Sequence, residues 1–139
     1  MSFVDVRSWT PAALSVAEAA HRFLVDVAAT HGALSVTAVV ADRGDAGVEI
    51  TLRFGAGKQV GGSVSAHVGD DEDVCAAVAD RLREMMIDYL FGAWPECPGH
   101  GHPAASRRLA SAVWVCPTEG EKHFAVPVGR YPHKVNVPL

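Results

Sequence analysis

Cysteine is scarce in this chain, three in 139 residues, so no dense disulfide framework can hold it together. Long apolar runs are absent too. The longest are broken by glycine or charge, well short of the roughly 20 residues that a bilayer crossing needs. The opening residues, MSFVDVRSWTPAALSV, lack a basic leader followed by an unbroken apolar stretch, so no signal peptide is expected. These absences point to a cytoplasmic, reducing setting without membrane contact. There, neighbouring cysteines turn toward metal or redox chemistry rather than a structural disulfide.

Basic charge is also in short supply: the net charge is −4, and it is unevenly placed. Residues 1–96 carry seven basic and fourteen acidic side chains, whereas residues 97–139 carry five basic and two acidic ones. A body of −7 argues against broad contact with nucleic acid, because phosphate affinity comes largely from Lys and Arg. A tail of +3 leaves room for a local nucleic-acid contact only. What the chain has in quantity is apolar surface, 49% hydrophobic against 20% charged, enough for a buried core in one domain-sized unit.

The pattern predicts an α+β fold. Residues 10–32 read as an amphipathic helix, with Val16, Ala20, Phe23, Leu24 and Val27 at helical spacing. Thr10 before Pro11, or the Ser15/Glu18 capping box, marks its start, and Gly32 its end. Period two follows. Leu34 to Ala41, Val48 to Phe54 and Val60 to Val68, with His67 on the outer face, predict three strands in an antiparallel meander. A second helix opens at GDDEDV, capped by Asp70, buries Val74, Val78, Leu82, Met85 and Tyr89, and stops at Gly92 and Pro95. Residues 1–92 thus form an α-β-β-β-α body. Residues 93–139 form a loop-rich tail docked on it, with short candidate strands at 111–116 and 123–128.

The tail holds the chemical signal. WPECPGHGH at 94–102 and WVCP at 114–117 crowd Cys97, His100, His102 and Cys116 into twenty residues, and His123 follows. A structural zinc ion takes four N or S donors in a tetrahedron, usually as close pairs from separate turns. Pro98 and Pro117 each follow a cysteine and suit tight turns at which thiolates converge. Cys97, His100, His102 and Cys116 are the compact ligand set; the alternative replaces His100 or His102 with His123. Thiolate plus imidazole favours zinc, with copper and iron behind it. A Cys97–Cys116 disulfide is the competing geometry, disfavoured by a reducing compartment. Trp94 and Trp114, flanking the cysteines, are expected to cover the ion, or, if exposed, to form a partner surface.

The tail resembles a zinc ribbon or zinc knuckle in the broad sense. CPGHGHP with a later WVCP resembles the ends of small, mostly uncharacterised proteins of high-GC bacteria over roughly the last 45 residues. A standard ribbon carries two C-x2-C pairs, whereas each pair here is mixed or incomplete. The resemblance implies a metal and no activity.

Other candidates reduce to structure. GAGK at 55–58 lacks the early glycine and the Ser or Thr of a phosphate loop, so it reads as a hairpin turn. Neither a metalloprotease H-E-x-x-H nor the paired elements of a zinc deaminase are present. Cys75 reads as an inert core thiol, and Met85 and Met86 as packing. His21, His31, His67 and His133 are isolated. The acids at 70–73 read as a helix cap, and Arg107 and Arg108 as a solvated loop. Function therefore reads first as a zinc-stabilised binding or adaptor module with a protein partner or a homodimeric state. The alternatives are a hydrolytic metal enzyme with an open zinc position, using Glu96, Glu119 or Glu121 as base, and a zinc or redox sensor.

Overall fold

A computed structural model describes residues 2–65 and 69–131; Ala66, His67, Val68, His133 and Lys134 lie outside the described residues. The fold is α+β, with two helices and two sheets. Helix α1 (Pro11–Thr30) starts where Thr10 accepts a hydrogen bond from the Ala13 N–H and Pro11 sits at the first turn. Ser15 lies inside the helix and donates to Asp71 of the second helix at 3.1 Å. The first of the two proposed starts is the one used. The helix ends at His31, one residue before Gly32, with the His31 N–H bonded to Val27 O.

The first sheet has the order β1 (Phe3–Val6), β2 (Val36–Asp42), β3 (Val48–Phe54), β4 (Gln59–Val64). β2, β3 and β4 pair antiparallel, and β1 lies parallel to β2, with Phe3 opposite Thr37 and Val6 opposite Val40. β1 was not expected. At four residues it is too short to announce a period, and a parallel partner requires α1 as the connection. GAGK does form the β3–β4 turn, closed by the Phe54 N–H to Lys58 O bond of 2.9 Å and a positive φ of 94° at Gly57.

Helix α2 (Asp71–Leu90) is capped reciprocally. The Asp73 N–H bonds the Asp70 side chain and the Asp73 side chain bonds the Asp70 N–H, which accounts for the acidic run without a cation. Its left-handed terminal residue is Phe91 (φ 54°, ψ 39°), not Gly92. Cys75 is buried on this helix, and burial pushes its thiol up to about 11, so it is inert at neutral pH.

The tail is less loop-rich than its composition suggests. β5 (Ala105–Arg108), β6 (Ala112–Cys116) and β7 (Gly120–Pro127) form an antiparallel sheet in that order. Arg107 and Arg108 are in β5 rather than a solvated loop. Arg108 reaches the cap of α2, 2.8 Å from Asp70 and 3.3 Å from Asp73. The Ser106 hydroxyl donates to Ala76 O at 2.7 Å. Body and tail contribute to one continuous core, in which Phe23 of α1 meets the rings of Trp94 and Trp114 at 5.0 and 6.2 Å.

The polar interior between α1 and the tail centres on Asp26, the one fully buried charged side chain among the described residues. Its carboxyl accepts from Trp114 Nε1 (2.7 Å), the Gly129 N–H (2.7 Å) and the Tyr131 N–H (2.8 Å). Beside it, Arg22 makes a two-pronged contact with Glu72 of α2 at 2.8 and 3.1 Å and donates to Val128 O. Glu72 in turn accepts the Ala112 N–H at 2.9 Å. Burial pushes the Asp26 carboxyl above its ordinary range, against the pull of three N–H donors and the Arg22 charge.

Asp26→Ala strands three buried donors and should cost about 3 kcal/mol or more, at roughly 1 kcal/mol or above for each. Asp26→Asn, which turns an amide nitrogen toward donors, should cost about 2 kcal/mol. A carboxyl with a raised folded pKa binds more protons folded than unfolded. Its contribution is greatest below the unfolded value near pH 4, declines as pH rises through the folded value, and is flat in Asp26→Asn. Urea unfolding midpoints across pH 3–7 measure both effects.

Candidate metal centre

Two turns build the site. In the first, Cys97-Pro98-Gly99-His100, the His100 N–H bonds back to Cys97 O at 3.0 Å, and the Pro–Gly order with Gly99 at φ 75° fits a type II turn. The Cys97 N–H then bonds His102 O at 3.0 Å and Glu96 bridges to Pro103, so the loop closes as a tight hairpin. The second turn follows β6: Cys116-Pro117-Thr118-Glu119-Gly120, with Gly120 at φ 71°. Both read Cys-Pro-x-x-Gly, with His100 and Glu119 at equivalent places. That repeat is the sequence signal that marks Glu119 as part of the site.

The structure brings Cys97, His100, His102 and Cys116 together: one donor atom from each lies within 4.8 Å of all the others. Both sulfurs are fully buried. His100 Nδ1 is 3.5 Å from Cys97 Sγ and 3.6 Å from Cys116 Sγ. A single nitrogen lone pair cannot accept from two thiols at once, but it can share a cation with two thiolates. Bonds of about 2.3 Å to sulfur and 2.05 Å to nitrogen at a tetrahedral angle set an S···N edge of about 3.6 Å. His102 Nε2 is shut away from solvent and has no hydrogen-bond partner, a state that calls for a ligand or a proton acceptor beside it.

The sulfurs differ in their surroundings. Burial opposes ionisation of Cys116, yet the Thr118 hydroxyl, the Glu119 and Thr118 backbone N–H groups and His102 together pull it down to about 5. Burial, reinforced by the adjacent Cys116 and the Glu119 charge, pushes Cys97 up to about 11. The surroundings thus favour the thiolate at Cys116 and disfavour it at Cys97.

A second group overlaps the first: His100, Cys116, Glu119 and His123 also bring one donor each within 4.8 Å. Glu119 Oε2 lies 3.2 Å from His100 Nε2 and 3.6 Å from His123 Nδ1, and the rings of His100 and His123 stack at 4.3 Å. Of the three proposed general bases, Glu119 is thus the one placed against a candidate ligand. Glu121 is exposed, and Glu96 accepts the Tyr131 hydroxyl through its backbone oxygen. Trp94 and Trp114 are buried against α1 and do not form an exposed partner surface. Compared with protein-family models, with curated proteins and with solved structures, the chain matches none of them. No helix among the described residues is long and apolar enough to cross a membrane.

Gly99→Ala forces a side chain into a left-handed position and should cost about 1 kcal/mol. Ion retention against a chelator should then fall by less than about ten-fold. Cys97→Ser should abolish retention. Competition with a chromogenic chelator reads both.

Proposed function

We propose that this protein is a zinc-stabilised binding or adaptor module, in which one ion held by Cys97, His100, His102 and Cys116 fixes the tip of the tail. The observation that carries this reading is the position of His100 Nδ1, 3.5 and 3.6 Å from two buried sulfurs, at the edge length of a tetrahedral thiolate–imidazole site. Mixed sulfur and imidazole donors select zinc. His102, the remaining member of the group, supplies the fourth donor.

A closed set of four protein donors makes the ion structural, and such ions contribute on the order of 10 kcal/mol to folding in small zinc peptides. Glu119 supports the same reading. A carboxylate against the remote nitrogen of a ligating histidine fixes that ring, as in carboxylate–histidine–zinc arrangements. It lies outside the inner group, on the far side of a ligand's ring, which weighs against its acting as general base on an ion held there. On this reading residues 93–139 are a ribbon-like tail, related in form to zinc-ribbon tails of high-GC bacterial proteins. The meander of β2, β3 and β4 with its helices is the body that displays it. The partner is a protein, and a second copy of the chain is one form it takes, with the outer edge of β4 available for pairing. The setting is cytoplasmic, in keeping with three free cysteines.

Elemental analysis of untagged, reduced, chelator-free protein should find one zinc per chain. Cys97 and Cys116 should then be protected from thiol reagents, and chelator should lower the unfolding midpoint. Cys97→Ser, Cys116→Ser and His102→Ala should lose the ion, whereas Cys75→Ser should keep it. A metal-free chain whose Cys97 and Cys116 react freely would sink the proposal.

A further inference from the structure

Six donors surround a site that needs four. Glu119 and His123 are the two left over, and their arrangement is unusual. His123 Nε2 sits 2.5 Å from Pro98 O, a carbonyl that can only accept, so this nitrogen carries the proton. Its other nitrogen, Nδ1, faces Glu119 Oε2, 3.6 Å away.

The two donor groups also differ in access. The sulfurs of Cys97 and Cys116 are fully buried, whereas the Glu119 side chain is 59% exposed and that of His123 is 28% exposed. A hydrated divalent ion carries a shell of water that it must shed before it can meet buried thiolates. His100 and Cys116 belong to both groups, with the donor atoms of each group within 4.8 Å of one another.

We infer that Glu119 and His123 form an outer loading position for a borderline divalent ion of the zinc and cobalt class, which passes from there to the inner set through His100 and Cys116. This inference rests on the zinc reading above and adds to it how the ion is gained and lost. The carboxylate captures the hydrated ion and His123 Nδ1 replaces one of its waters. The two shared donors then draw it inward without a fully released intermediate. Cys97 and His102, which belong only to the inner group, complete its coordination. Glu121, exposed and two residues before His123 on β7, adds a second acid to the same face of the strand.

The test is the rate at which metal-free, reduced protein takes up Co2+, followed by the thiolate-to-cobalt charge-transfer absorption. His123→Phe keeps a ring beside His100 and removes the Nδ1 donor together with the Nε2–H bond to Pro98 O, so an unchanged final absorption shows that the Cys97 turn is intact. Its final absorption should match the parent protein. Loading should slow about ten-fold, the lower end of what a lost capture site costs an association rate. Release to a chelator should slow by a similar factor, because both directions use the same position. Glu119→Gln should also slow loading.

Wild-type loading rates in His123→Phe would overturn the inference, since His123 would then do no more than stack. A changed final absorption in His123→Phe would also overturn it, by making His123 an inner ligand. Absence of any thiolate-bound cobalt in the parent protein would remove the zinc reading itself, and the loading position with it.

Discussion

The candidate site exists in its observed form because a buried carboxylate on α1 holds the tail in place. Asp26 takes the indole N–H of Trp114 and two backbone N–H groups beyond β7. One helical turn later, Thr30 takes the indole N–H of Trp94 at 3.0 Å. Residues four apart share a helix face, so a single stripe of α1 grips both tryptophans. Each tryptophan lies just before a cysteine turn: Trp114 two residues before Cys116, and Trp94 three before Cys97. The two turns converge because the segments leading into them are pinned side by side on the same helix. Phe23 packs against both rings, which also meet each other edge-on at 5.7 Å, so apolar packing and polar anchoring act on the same two side chains.

This arrangement divides the stabilising work between body and tip. The core below the tryptophans is continuous and apolar. The tip has two buried sulfurs, a run of short turns and little apolar area of its own. Without a cation, its Cys97 and Cys116 cannot both ionise cheaply, and His102 Nε2 has no partner. On the zinc reading, the ion would sit at the far end of anchored segments and tighten the tip alone. The Arg22–Glu72 pair extends that anchor. It joins α1 to α2 and also meets the backbone of the tail at Ala112 and Val128, so both helices hold the second sheet.

Much of this was legible in the residues themselves. The α2 cap, the β3–β4 turn and the alternation of β2 and β3 follow from local chemistry, because capping and period-two burial act within a few residues. β1 was not legible, since its four residues are a strand only because β2 lies beside them. The same holds for β5, whose ASRR has little strand character until Ser106 and Arg108 find Ala76, Asp70 and Asp73. Asp26 could have been found. It falls three residues after Phe23 and beside Val27, on the apolar stripe, where a carboxylate must have partners. The donors themselves could not have been named, because they lie 88 to 105 residues away. The close spacing of Cys97, His100, His102 and Cys116 made the site visible, and the structure adds which nitrogen of His100 faces the sulfurs.

The two Cys-Pro-x-x-Gly turns explain why the donor set is lopsided. If both supplied their first and fourth residues, the ligands would be Cys97, His100, Cys116 and Glu119. Instead the Glu119 carboxylate lies against the outer nitrogen of His100, while its backbone N–H donates to Cys116 Sγ at 3.4 Å. The second turn therefore keeps the backbone hydrogen bond that steadies its cysteine but turns its fourth side chain outward. That leaves one vertex to fill, and the two-residue step from His100 to His102 brings a second imidazole to it from the same hairpin. The bond between the Cys97 N–H and His102 O fixes that step. With Glu119 outside it, the inner group offers two thiols and two imidazoles, donors whose charge as two thiolates would match a divalent ion. The inner set is then charge-balanced, as a buried position requires. Glu119 stays at the surface, where solvent screens its charge and an arriving cation can reach it.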